Sequence, residues 1–281
     1  MTSSVSEKSL SNSSLSNRRY WGHAPMKIRP GIELANLTDI GCARENNEDY
    51  YGYAEPESDP EFDLRGRLIV IADGMGGHEG GQVASGLAVD ALREVFLEGP
   101  PGDPSSVLAS AFRNAHASIH EHALRHPELR GMGTTCTAAL LRDGLLTYGH
   151  VGDSRLYLLR EGSITSLTRD HSYVQQLVDG GVITPEQAKT HPGRNILTSA
   201  LGADSGVQAD LPEAPIPLQP ADVLLMCTDG LHGMVSDDEM GAIASQNVPR
   251  EACQLLVDLA KSRGGPDNIT LQIVRIDGAG K

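Results

Sequence analysis

The stretch Leu68-Ile69-Val70-Ile71-Ala72-Asp73-Gly74-Met75-Gly76-Gly77 is an apolar run that stops on an acid and a glycine cluster. A short apolar run bounded by turn residues reads as a strand buried on both faces, and Asp-Gly as the turn that ends it. The arrangement recurs in Val223-Leu-Leu-Met-Cys-Thr-Asp229-Gly230. Asp153 falls between two strand-like segments in His150-Val-Gly-Asp153-Ser154-Arg155, and Asp267, in Pro266-Asp267-Asn268, just precedes the last apolar run. Any one of these acids is explained as a turn residue or a cap. Together they place carboxylates at the ends of buried strands. If those ends converge, they form an all-oxygen pocket whose charges repel one another unless a hard cation sits among them. No Cys/His spacing of a zinc site surrounds them, and oxygen ligands favour magnesium or manganese. Two such ions about 3.5–4 Å apart would lower the pKa of a bridging water and polarise a phosphoryl oxygen.

Outward from these strand ends, further strands are expected at Ile32–Asp39, Thr135–Arg142, Leu145–Val151, Arg155–Arg160 and Ile269–Ile276. Asp143-Gly144 and Glu161-Gly162 turn two pairs into hairpins, 135–142 with 145–151 and 155–160 with Ser163–Leu167, so the sheets are antiparallel. Helices are expected at Gln82–Leu97, Pro104–His126, Asp237–Ser245 and Pro249–Lys261. In the second, apolar residues at 108, 112, 115 and 119 share one face. The third is N-capped by Ser236 with Glu239 three residues on. Strand runs with few βαβ crossovers indicate an α+β fold, antiparallel sheets carrying helices on their outer faces. Eight serines in the first sixteen positions make residues 1–26 a disordered tail. Residues 27–281 follow as one domain without a second linker.

The composition of the 281 residues agrees with an ordinary globular core, 39% hydrophobic but only 4% aromatic. A net charge of −14 leaves no electrostatic footprint for nucleic acid or an anionic membrane. Cys42, Cys136, Cys227 and Cys253 form no C-x-x-C pair, and neither a spanning segment nor a secretory leader is visible, so a reducing cytoplasm is expected. His116/His120 and His122/His126 are each i, i+4, but the pairs point about 120° apart and cannot make one four-ligand site. Packing explains them better than zinc.

In Asp39-Ile-Gly41-Cys-Ala-Arg44-Glu-Asn-Asn47-Glu48-Asp49, an arginine precedes an acidic pair in a loop. A guanidinium can grip two phosphate oxygens at once, or pair with Glu48 or Asp49. This segment, Asp73-Gly74-Met75-Gly76-Gly77, Gly133-Thr134-Thr135, Gly152-Asp153-Ser154-Arg155, Asp170-His171-Ser172, Thr228-Asp229-Gly230-Leu231 and Asp267-Asn268-Ile269-Thr270 occur in one order. The chain resembles, over about residues 31–277, the metal-dependent protein phosphatases of the 2C type in their bacterial form. The resemblance implies a two-layer antiparallel β-sandwich flanked by helices, a four-layer αββα arrangement, with two manganese or magnesium ions at one end. It implies that Asp73 bridges both ions, that the Gly74 carbonyl binds one, and that Asp229 and Asp267 hold the other. Asp49 and Glu48 would act through coordinated water, Asp153 with Asp229 would hold a weaker third ion, and Arg44 would bind phosphate. The implied reaction is attack of metal-bound water on a phosphoserine or phosphothreonine ester, and Ser172–Ala200, which reads from its own residues as a helix, turn and helix with Gly180-Gly181 to permit motion, would be a flap beside the site.

Met75 stands where animal relatives carry the histidine proposed to protonate the leaving group. His78 and a water on the third ion are the alternatives. No Cys-x5-Arg loop supports a cysteine phosphatase. Glu79 breaks a G-x-G-x-x-G fingerprint, and no P-loop motif is present. A catalytically dead, phosphopeptide-binding relative would ordinarily have lost a metal acid, and here all are retained. The expected partners are phosphorylated proteins, including a bacterial serine/threonine kinase or its substrates, acted on by a monomer.

Overall fold

The computed structural model describes residues 29–76, 79–203 and 206–277. The Ser-rich segment and His78 fall outside them. Sheet one consists of β1 (Ile32–Asp39), β7 (Arg155–Arg160), β8 (Ser163–Ser166), β10 (Val223–Cys227) and β11 (Ile269–Ile276), in the order β1-β11-β10-β7-β8. Sheet two consists of β2 (Asp49–Ala54), β3 (Arg67–Met75), β5 (Cys136–Arg142), β6 (Leu145–Val151) and β9 (Ile216–Pro217), in the order β2-β3-β5-β6-β9, with β4 (Gly133–Thr134) on the end of β3. Every pairing is antiparallel. Both expected hairpins form.

Alternation along β3 explains the layering. Ile69 and Ile71 pack between the sheets with Leu156, Leu224 and Met226. Leu68, Val70 and Ala72 point the other way, onto α2 (Gly80–Glu98) and α3 (Pro104–Arg125) with Phe96 and Phe112. Successive strand side chains face opposite ways, so a strand covered on both faces must be apolar throughout. On the other sheet, Val223, Leu225 and Cys227 meet Leu256, Val257 and Ala260 of α8 (Pro249–Ser262), beside α7 (Asp237–Gln246). The layers run helix, sheet, sheet, helix, as the resemblance implied.

The buried stripe of α3 includes Leu108, Phe112, Ala115 and Ile119, and its first turn is capped by the Asp103 side chain, which accepts from the Ser106 amide at 3.0 Å. At the start of α7, the Ser236 amide donates to Glu239 Oε2 at 3.1 Å. The histidine pairs of α3 and its C-cap residue His126 stack ring on ring, and Gly202 N donates to His116 Nδ1 at 3.2 Å, consistent with packing. Cys136, Cys227 and Cys253 are buried and Cys42 is exposed.

Several elements have no counterpart in the sequence reading. The helix α1 (Asp59–Arg65) buries no residue, so it carries no apolar period to detect. The strand β2 lies at a sheet edge and reads Asp-Tyr-Tyr-Gly-Tyr-Ala, half polar and broken by Gly52. Asp49 therefore opens a strand, whereas the sequence reading left it in a loop. By contrast, the helix, turn and helix expected within Ser172–Ala200 form, as α4 (Tyr173–Asp179), capped by Ser172, and α5 (Pro185–Lys189), capped by Thr184. One further helical turn, α6 (Asp229–His232), follows β10 directly.

Candidate metal centre

Strand register brings the first two acids together. Asp49 of β2 stands directly opposite Asp73 of β3. Asp73 continues the alternation of Ile69 and Ile71, and cross-strand partners share a face, so both carboxylates point into the cleft between the sheets. The Asp73 backbone is held on both sides: its amide donates to Thr135 Oγ1 at 3.0 Å, and its carbonyl accepts from Thr134 Oγ1 at 2.8 Å. Asp229 opens α6, Asp267 precedes β11, and Asp153 sits in the turn from β6 to β7.

Two glycines permit this approach. A Cβ on Gly74 would stand 2.1 Å from the Gly81 carbonyl oxygen and 2.6 Å from that of Glu48. One on Gly230 would stand 1.9 Å from the Asn268 carbonyl oxygen. The strand end, the start of α2 and the Glu48 loop thus meet at Gly74, while α6 presses on the lead-in to β11 at Gly230.

The electrostatics are those of crowded acids. Asp73 is pushed well above the usual carboxylate range, first by burial and then by the charges of Asp49, Asp229, Asp153 and Asp267. Burial also raises Asp49, against the pull of the Thr270 and Thr228 hydroxyls. It raises Asp229, with Asp267 adding to it, and Asp153, with Asp229 and Asp170 adding to it. Glu48 is raised by burial as well. Asp49 Oδ1 and Asp229 Oδ1 are buried with no hydrogen-bond partner. Unpartnered buried carboxylate oxygens among like charges fit a hard divalent cation, which takes oxygen ligands and removes the repulsion.

Asp267 is placed differently. Its Oδ2 lies 2.6 Å from Arg44 Nη2, so Arg44 pairs with Asp267 and with neither Glu48 nor Asp49. Among the described residues, no three Asp, Glu, His or Cys side chains close on one point as a finished metal cage. Half of the Arg44 side chain is open to solvent. Its loop is clamped by Asn268, whose Oδ1 accepts from Glu48 N at 2.8 Å and whose Nδ2 donates to Ile40 O at 3.0 Å and Asn46 O at 2.9 Å.

A second tier of polar groups holds the acids. Thr228 Oγ1 donates to Asp49 Oδ2 at 2.9 Å. Thr135 and Ser154 hydroxyls lie 2.8 Å apart between Asp73 and the Asp153 turn. Arg155 grips Asp170 in two bonds, at 2.8 and 2.7 Å. The His171 amide donates to Gly152 O at 2.6 Å, and His232 Nε2 lies 2.9 Å from the Asp153 carbonyl oxygen. Burial and the nearby Arg155 charge push His232 down to about 4, so its ring is neutral. The threonines lie inside the quoted motifs and were legible as candidates. Nothing in the sequence marks His232.

The acids thus gather at one end of a two-sheet sandwich flanked by helices, a site suited to divalent cations. The protein phosphatase 2C family model matches residues 45–254. The serine/threonine protein phosphatase PstP of Mycobacterium tuberculosis is 38% identical over 250 residues, which cover 87% of this chain and 45% of PstP. The protein phosphatase PhpP of Streptococcus pneumoniae is 35% identical over 251 residues, covering 88% of this chain and 98% of PhpP. The solved catalytic domain of PstP in complex with two manganese ions superposes with a TM-score of 0.76 at 36% identity, covering 88% of this chain and 99% of that one. The chain belongs to the protein phosphatase 2C family, on its bacterial serine/threonine phosphatase branch. It spans about half the length of PstP and nearly all of PhpP. No helix among the described residues is long and apolar enough to cross a membrane.

Proposed function

We propose that this chain hydrolyses phosphoserine and phosphothreonine esters in phosphoproteins, using two manganese or magnesium ions and a weaker third. The observation that carries this reading is the in-register pair Asp49–Asp73 beside Asp229, with buried carboxylate oxygens left unpartnered. Asp73, the Gly74 carbonyl, Asp229 and Asp267 would hold the tight pair, Asp49 and Glu48 would act through water, and Asp153 with Asp229 would take the third. When bound, such ions supply a water activated near neutral pH and positive charge on the phosphoryl oxygens. Arg44 exchanges Asp267 for the phosphate of the substrate, because its guanidinium is half exposed and presents a planar pair of donors. The Asn268 clamp holds the Arg44 loop, so the phosphate enters a preset geometry suited to in-line displacement.

Residues 27–281 act as one catalytic unit, with 172–200 as a flap that meets the phosphoprotein. Tyr173, Val182 and Ile196 on that segment are exposed apolar side chains, which suits contact with a peptide. The natural partners are a bacterial serine/threonine kinase or its substrates, the chain acting as a cytoplasmic monomer. The test is hydrolysis of a phosphothreonine peptide with manganese, with chelator, and by Asp229→Ala with manganese. Turnover is expected in the first condition alone. A folded protein inactive in all three would make it a phosphopeptide-binding relative.

A further inference from the structure

The turn α6 carries more than Asp229. At Gly230 it is pressed against the Asn268 carbonyl, which fixes it relative to Asp267 on the neighbouring residue. Three residues after Asp229, on the same side of the turn, His232 reaches across to the Asp153 backbone. A carbonyl oxygen only accepts, so Nε2 of His232 carries the proton and donates over 2.9 Å. The Asp153 side is held separately, where Gly152 meets His171 through two hydrogen bonds of 2.6 and 3.2 Å. One helical turn therefore spaces three of the acids: Asp229 directly, Asp267 through Gly230, and Asp153 through His232.

We infer that His232 is a positioning residue, a strut whose Nε2–H sets the Asp153 turn at the distance from Asp229 that lets the two carboxylates share the weaker third cation. The inference rests on the assignment of Asp153 and Asp229 to that cation. The Nε2–H of His232 is spent on the Asp153 carbonyl. Its effect runs through the backbone of Asp153, in the way outer partners orient a metal ligand. A histidine that only filled space would leave cation affinity unchanged when replaced by another side chain that folds.

Amide replacements separate the two roles. The Nε2 of a glutamine reaches the position of the imidazole Nε2, whereas the Nδ2 of an asparagine reaches only that of Nδ1. Manganese titration calorimetry on the full chain, with wild type, His232→Gln, His232→Asn, His232→Ala and Asp153→Asn, counts the ions bound and gives each affinity without substrate. The weakest binding event is expected to lose roughly tenfold or more in His232→Asn and His232→Ala and to stay within about threefold of wild type in His232→Gln. The tight pair is expected to be unchanged throughout. If His232→Ala fails to fold, the glutamine and asparagine variants carry the comparison. Wild-type affinity in His232→Asn would overturn the inference, as would a loss in His232→Gln equal to that in asparagine. If Asp153→Asn keeps the weak event, the assignment of Asp153 itself fails and takes the inference with it.

Discussion

Arg44 holds a charge that two partners compete for. In the structure it lies 2.6 Å from Asp267, and in the proposed reaction it meets a phosphate. A hydrogen bond to a charged group is worth about 1.5–3 kcal/mol, so Arg44→Ala should lower kcat/KM on a phosphothreonine peptide by roughly 10- to 150-fold. Inhibition by inorganic phosphate should weaken in step. Arg44→Lys should recover only part of this, because an ammonium lacks the planar fork. Unchanged phosphate inhibition in the alanine variant would confine Arg44 to its pairing with Asp267.

Between elements, Asn268 is the joint that matters. Its side chain makes three hydrogen bonds to the loop joining β1 and β2, and it lies beside Asp267 at the start of β11. Asn268→Ala leaves the Glu48 amide and two carbonyls short of partners, a cost of about 1–3 kcal/mol per group that stays buried. Urea unfolding should show a loss within a few times that unit, and steady-state kinetics should show KM rising more than kcat falls, since the loop carrying Arg44 is loosened. A fall in kcat with KM unchanged would argue that Asn268 serves only Asp267. The same joint shows why elements differ in legibility. Strand β11 is buried on both faces over its first six residues and reads plainly, whereas β2 is an edge strand that only its pairing with β3 reveals.

For the whole molecule, the acids oppose folding until a cation or a proton offsets them. Asp49, Asp73, Asp153 and Asp229 all titrate above the ordinary carboxylate range, so the folded metal-free chain holds protons that the unfolded chain has released. Their contribution is present on the acid side and is lost as pH rises through the folded values of about 6 to about 8. His150 and His232 act in the opposite sense. Burial pushes both down to about 4, so their contribution is full above the ordinary value of 6.5 and lost as pH falls below it. Above about pH 7.5, a unit beyond the ordinary histidine value, the histidine contribution is nearly constant and the acids dominate. In chelator, the melting temperature should therefore rise as pH falls from 8.5 to 7.5. With manganese at about 100 times its dissociation constant, the chain should gain about 2.7 kcal/mol near pH 8, or roughly 5–10 °C. That gain should shrink toward pH 6.5 as protons compete. A metal-free melting temperature flat over that window would contradict the crowded-acid reading.

The sequence by itself determined the double-faced apolar strands, the two hairpins, the main helices and the acids at strand ends, because each is written in a local period or a turn dipeptide. Five of the expected strands, β1, β6, β7, β10 and β11, fall where read, and the helices differ by a residue or two at their ends. What depends on distance along the chain was decided only by the tertiary structure. Asp49 opposite Asp73 follows from the register of β2 on β3, and Arg44 with Asp267 joins residues 223 positions apart. The Asn268 clamp and the His232 strut are of the same kind, since a hydrogen-bond partner is chosen by proximity, which a strand period does not encode.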